Sequence, residues 1–193
     1  MTNLVRLRDF VREFTRLVDS GADEARIFSD GRELLRALVA VDDWLPDEFA
    51  RPHRDRYRQF LLHCDPLERF SVVSFVWGPG QATPVHDHTV WGMVGVLRGT
   101  ERCQEFALPA TPGPMVSTGS HALPAGAIDL VSPTVGDIHR VSNALADGVS
   151  VSIHVYGANI GAVARHTFDL ASGERKRFVS GYENETVPNL WRV

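Results

Sequence analysis

The sequence predicts a mainly β fold, a jelly-roll-like β-barrel with a small N-terminal helical cap, and three observations predict it. Apolar residues recur at helical spacing over about the first fifty residues, then give way from Arg56 onward to short runs rich in Val, Phe, Tyr and Leu. Clusters such as Gly78-Pro79-Gly80 and Pro112-Gly113-Pro114 punctuate those runs. The paired histidines His86 and His88 repeat at the two-residue period of a strand. Helices first and many short strands after suit a cap packed on a barrel. A chain of 193 residues is long enough for one sizeable core. We therefore expect one domain over 1–193, with about 1–50 as the cap and about 56–180 as the barrel and a C-terminal hairpin.

The elements follow in order. Leu4, Leu7, Val11, Phe14 and Val18 share one helical face, and Ser20-Gly21 stops the pattern. A second helical region starts near Ala22-Asp23-Glu24, where acidic residues suit the helix dipole, and runs through Ile27, Leu34, Leu35 and Leu38, with a break expected at Asp30-Gly31. Trp44-Leu45-Pro46-Asp47-Glu48 reads as a loop opening a short helical turn. Strands are expected over 57–63, 70–77, 90–97, 101–107, 128–131 and 149–156. A last hairpin should span 165–179 and turn at Ala171-Ser172-Gly173-Glu174.

Composition narrows the function classes. A hydrophobic content of 44% and a charged content of 23% are ordinary for a globular enzyme. The net charge of −4, without a long basic run, gives no support for nucleic-acid binding. No apolar stretch approaches membrane-spanning length, and Met1-Thr2-Asn3-Leu4-Val5-Arg6 lacks the apolar core of a signal peptide, so a cytoplasmic location is the expectation. Cys64 and Cys103 are too few for a disulfide framework or a zinc cluster and read as small buried or half-buried thiols.

The chemistry concentrates in His86-Asp87-His88. Strand side chains alternate, so the two imidazoles face inward together while Asp87 faces away. His139, in Gly136-Asp137-Ile138-His139-Arg140-Val141-Ser142-Asn143, would complete a metal site of neutral imidazoles. With Gly80, Gly99 and Gly136 flanking these histidines, the pattern resembles the two-part motif of cupin barrels. Where many cupins carry a metal-binding Glu after the second His, this chain has Gly92 and Met93. The expected site is therefore three histidines with no carboxylate, which leaves two positive charges on a divalent ion and positions free for a thiolate or carboxylate. His53, His63, His121 and His166 lack such partners in the sequence and read as solvated or satisfied structural residues.

One more row narrows the reaction. Ser152, His154 and Tyr156 alternate along a predicted strand, so they share a face and can form a hydrogen-bonded relay. With His86-Asp87-His88-Thr89, His139 and this row, the chain from Tyr57 to about Phe168 resembles the thiol dioxygenases, the family that includes cysteine dioxygenase. The resemblance implies a mononuclear non-haem iron(II) held by His86, His88 and His139, with Ser152, His154 and Tyr156 as an outer relay. It also implies a small thiol and O₂ as the reacting partners. Taking a thiol to a sulfinic acid is a four-electron oxidation, and O₂ accepts four electrons as both its atoms move to sulfur. No external reductant is needed, in keeping with a short chain that has no Gly-x-Gly-x-x-Gly fingerprint.

Two departures bear on substrate. Mammalian-type cysteine dioxygenases have a Cys near the position of Gly92 that crosslinks to the relay Tyr, so Tyr156 is expected to remain an unmodified phenol. They also carry Tyr-x-Arg where this chain has Tyr57-Arg58-Gln59, and alternation points Arg58 away from the face of Tyr57 and Gln59. The Tyr-x-Gln form resembles a bacterial branch associated with 3-mercaptopropionate, which keeps the thiol and carboxylate of cysteine but lacks its amine. Tyr57 and Gln59 are then pocket residues, and Arg165 is the candidate cation for the substrate carboxylate. L-Cysteine ranks next as substrate. Competing readings are a metal-dependent cupin isomerase or carbon-substrate dioxygenase, which would usually show the missing Glu, and a non-catalytic cupin that binds a small molecule. The oligomeric state is open.

Overall fold

A computed structural model of the chain describes residues 3–191; the first and last two residues of the expected domain lie outside the described residues. Helix α1 spans Val5–Asp19 and buries Leu7, Phe10, Val11, Phe14 and Leu17. A short α2, Glu24–Arg26, starts where the Asp23 carboxylate accepts a hydrogen bond from the Arg26 amide at 2.9 Å. It continues through a π-helical turn, Ile27–Gly31, into α3, Arg32–Val39. The expected break at Asp30-Gly31 is therefore absent. Gly31 keeps a helical φ of −64°, and a Cβ there would stand 2.9 Å from Phe14 Cε2. The glycine lets α1 and the second helical stretch approach closely instead of ending a helix. A 3₁₀ turn, Asp47–Phe49, follows.

Eleven strands form two antiparallel sheets among the described residues. They are β1 Arg58–Cys64, β2 Ser71–Trp77, β3 Val85–His86, β4 Gly92–Arg98, β5 Thr100–Ala107, β6 Val116–Pro124, β7 Ile128–Val131, β8 His139–Asn143, β9 Ser150–Tyr156, β10 Arg165–Phe168 and β11 Arg175–Phe178. One sheet runs β1-β2-β9-β4-β7 and the other β11-β10-β3-β8-β5-β6. This is the mainly β, jelly-roll-like barrel with a helical cap that the sequence predicts. Sequence periodicity misses β6 and β8, because β6 is a mostly exposed edge strand and β8 buries two polar residues out of three. The strand carrying His86 is also shorter than the His-x-His pattern suggests and ends before His88.

The five-stranded sheet is covered on both faces, which explains why β2 and β9 are buried along their whole length. Val72 and Val76 of β2, with Val151, Ile153 and Val155 of β9, pack against Leu7, Phe14 and Leu35 of the helices. The alternate residues point into the barrel. There Val73, Phe75 and Trp77 meet Val141 of the opposite sheet. On β9 the inward residues are Ser150, Ser152, His154 and Tyr156, a polar row placed where a barrel core is ordinarily apolar.

Candidate active site

Three histidines converge inside the barrel at the centre of its six-stranded sheet, where β3 and β8 are neighbours. His86 and His139 are direct register partners across β3 and β8, and the turn after β3 brings His88 alongside them. Ring centroids stand 4.8 Å apart for His86 and His88, 4.9 Å for His86 and His139, and 4.8 Å for His88 and His139. One ring nitrogen from each lies within 4.8 Å of the others. Outer contacts fix the rings. His86 Nδ1 lies 3.1 Å from the Pro84 carbonyl, His88 Nδ1 3.1 Å from Asp137 Oδ1, and His139 Nδ1 3.5 Å from Cys103 Sγ. A proton held on Nδ1 by such acceptors leaves the Nε2 lone pair facing inward.

The donor set fits a divalent transition metal. His88 Nε2 is buried and has no hydrogen-bond partner among the described residues. Burial, reinforced by the neighbouring His88, drives the His86 pKa down to about 3, and burial likewise holds His139 well below the ordinary value. Neutral imidazoles are the ligating form. Gly92 and Met93, in β4 of the other sheet, offer no donor.

Asp137 is a site residue that sequence reasoning did not single out. Its carboxylate accepts from the backbone amides of His88 at 2.9 Å and Thr89 at 3.0 Å while also meeting the His88 ring. It thereby ties the loop before β8 to the turn after β3, where Thr89 takes a left-handed φ of 61°. Its position two residues before His139 was the available signal. Asp87 faces away from the histidines and bonds His166 through the backbone amide at 2.7 Å and Nδ1 at 2.9 Å. His121 lies 3.2 Å from Asp129, and its cross-strand partner is Cys103.

The polar row of β9 runs up to the histidines. Ser152 Oγ lies 2.9 Å from His154 Nε2, and His154 Nδ1 lies 2.7 Å from the Tyr156 hydroxyl. The Tyr156 ring stacks on His88 with centroids 5.5 Å apart, and Phe75 stacks on His154 at 4.1 Å. Burial raises the Tyr156 pKa and holds the His154 pKa well below its usual value. The row therefore consists of neutral groups that pass hydrogen bonds but carry no resting charge.

Arg165 lies on β10 and is only 3% exposed. Its Nη2 donates to Ser180 Oγ at 2.7 Å and its guanidinium sits 4.8 Å over the Phe178 ring, but Nε has no partner. Among the described residues it forms no ion pair with a carboxylate. Burial lowers its pKa, and the groups acting against that shift include Tyr156 and Tyr57. Gln59 is buried and its Nε2 donates to the Gly181 carbonyl, next to the residue that holds Arg165. Tyr57 stacks on Trp77 with centroids 4.8 Å apart. Arg58 is placed elsewhere, 4.5 Å over Phe60 and 3.4 Å from Glu183.

Comparison with known proteins adds a family. A family model described as cysteine dioxygenase type I matches residues 36–169. Cysteine dioxygenase type 1 of Homo sapiens is 24% identical over 157 residues, covering 79% of this chain and 77% of the human protein. The Bos taurus protein of the same name gives the same identity and coverage, 24% over 79% and 77%. A solved structure of a double-stranded β-helix protein from Klebsiella pneumoniae aligns with a TM-score of 0.47 and 18% identity, over 69% of this chain and 87% of that one.

Proposed function

The chain belongs to the cysteine dioxygenase type I family of the cupin superfamily and is a thiol dioxygenase, and on that premise we propose that it takes a small thiol carboxylate to its sulfinic acid with iron(II) held by His86, His88 and His139. Both atoms of O₂ end on sulfur, and the four electrons leave the sulfur, so thiol and O₂ alone balance the reaction. Bound iron(II) would supply a positive centre that favours the thiolate form of the substrate and brings it into reaction with O₂.

The protein's own residues supply position and protons. Tyr156, held by His154 at 2.7 Å and stacked on His88, presents a neutral phenol beside the three histidines. Such a hydroxyl steadies negative charge that develops on oxygen, and Ser152 with His154 fixes its direction. Aromatic walls from Phe75, Trp77 and Tyr57 limit water around the row.

Arg165 carries the substrate class. A guanidinium buried to 3% exposure without an ion-pair partner is costly, and a substrate carboxylate relieves that cost. This supports a thiol that bears a carboxylate. Both thiols carry that carboxylate; an L-cysteine ammonium would need an anionic partner of its own, and Gln59, held next to the segment that holds Arg165, is neutral, which favours 3-mercaptopropionate over L-cysteine. Gln59, where mammalian-type enzymes carry Arg, adds no charge and is tied to Gly181. Both cysteines are free thiols, in keeping with a reaction in the reducing cytoplasm.

The test is O₂ consumption by anaerobically iron-loaded protein against 3-mercaptopropionate, L-cysteine and cysteamine, with sulfinate identified by mass. We expect kcat/KM to fall in that order. Absence of sulfinate from every thiol would overturn the reaction, and a higher kcat/KM for L-cysteine would overturn the ranking alone.

A further inference from the structure

We infer that Glu101 is the far end of the polar row, and that its carboxylic-acid proton sets the direction of the hydrogen bonds through Ser152 and His154 so that the Tyr156 hydroxyl hydrogen stays free to face the histidines. This rests on the proposed role of Tyr156.

Glu101 stands in β5 of the six-stranded sheet and is 0% exposed. Its carboxyl faces the Ser150 and Ser152 hydroxyls of β9 and the indole N–H of Trp77 in β2. The same indole reaches Ser152 Oγ at 3.4 Å. Among the described residues neither Glu101 oxygen nor Ser150 Oγ is claimed by a hydrogen-bond partner, so the carboxyl is uncommitted beside Ser152. The titratable groups facing it are the Cys103 thiol on its own strand and, beyond Ser152, the His154 imidazole. Burial raises the acid to about 8, against the pull of the two hydroxyls and the indole. A buried acid with no cation beside it weakens the fold where leucine would not.

The direction of the row follows from counting hydrogens. When Glu101 is protonated it donates to Ser152 Oγ, whose hydrogen then goes to His154 Nε2. His154 carries its proton on Nδ1 and donates to the Tyr156 oxygen, and the Tyr156 hydrogen is left over for the site. When Glu101 is ionised every bond reverses. Ser152 donates to the carboxylate, His154 Nε2–H donates to Ser152, and the Tyr156 hydrogen is consumed by His154 Nδ1. No atom moves far, but the last hydroxyl is switched from donor to bystander. Glu101 is thus a positioning residue for Tyr156.

Two measurements test this. In zinc-loaded protein, a diamagnetic stand-in, ¹⁵N-histidine NMR should show the His154 proton on Nδ1 at neutral pH and on Nε2 above about pH 8, with the signal assigned by its loss in His154→Gln. Glu101→Gln keeps a neutral donor toward Ser152 and should hold the proton on Nδ1 at both. In iron-loaded protein, wild-type kcat for 3-mercaptopropionate should fall about tenfold between about pH 7 and about pH 9, and Glu101→Gln should lose that decline. Glu101→Leu should keep its iron and KM but lose kcat at both. An Nε2 proton at neutral pH, or an unchanged alkaline decline in Glu101→Gln, would overturn the inference. Wild-type protein that consumes no O₂ with any thiol would instead defeat the proposed reaction, and the NMR result would still decide the direction of the row.

Discussion

Gly92 and Tyr156 are register partners across β4 and β9, and they are packed so closely that a Cβ at position 92 would stand 2.7 Å from Tyr156 Cδ1 and 2.8 Å from Cε1. The absence of a side chain at 92 gives the phenol its place over His88. Gly92→Ala must push the ring off the relay, so we expect iron content to survive while kcat falls about tenfold or more. The intact mass of the wild-type protein should equal that of its sequence, because Tyr156 has no thiol at 92 to join. Full activity in Gly92→Ala would show that the ring does not need this position.

Metal retention separates ligands from their supports. His139→Ala removes one of three donors and should abolish stoichiometric iron. Asp137→Ala leaves all three donors but frees the His88 ring and the turn at Thr89. It should weaken iron binding about 10- to 100-fold, the usual cost of losing the partner that orients a ligand. Metal titration read by competition with a chelator distinguishes the two outcomes.

Tyr156→Phe removes only the hydroxyl that meets His154 at 2.7 Å. Iron should remain and turnover should fall roughly ten- to a thousandfold, the range of a lost catalytic hydrogen bond. Loss of iron from this variant would make Tyr156 a structural residue or a ligand.

Strand β2 was legible as a continuous buried run, β9 as an alternation of Val and Ile with polar residues, and helix α1 as a stripe at helical spacing. The same periodicity put Ser152, His154 and Tyr156 on one face before any contact was known. It did not reveal β6, whose exposed edge has no apolar stripe, and it misjudged Gly31, whose small size serves a contact with Phe14 seventeen residues earlier in the chain. Asp137 and Glu101 lay beyond it for a related reason. Each acts on residues brought close only by the closed barrel, so strand alternation does not announce its role, and Asp137 had only its place two residues before His139 as a signal.

Glu101 also makes a stability prediction. Its folded pKa is raised from 4.5 to about 8, so the folded protein keeps a proton that the unfolded chain releases. Stability is fully present below the unfolded value and falls as pH rises through the folded one. Glu101→Gln removes this dependence. The gain of the variant over wild type, measured by chemical denaturation, should therefore grow from about pH 4.5 to about pH 8, reaching up to about 5 kcal/mol, and level off above. A difference that does not change with pH would mean that Glu101 is ionised in the folded state.

Arg165 separates a substrate partner from a structural cation. Its side chain is buried, bonded to Ser180 and lying over Phe178, so truncation to Ala would open a cavity; Arg165→Met keeps most of the volume and removes the charge. If the guanidinium meets the substrate carboxylate, that variant loses a charge-assisted pair worth about 2–5 kcal/mol in transition-state binding. The loss should appear in kcat/KM for 3-mercaptopropionate and L-cysteine and be much smaller for cysteamine, which has no carboxylate. Melting temperature and iron content should stay close to wild type, since an unpaired buried charge adds little to the fold. Equal losses for all three thiols, with retained iron, would assign Arg165 to holding Ser180 and Phe178 in place and leave the substrate carboxylate without its cation.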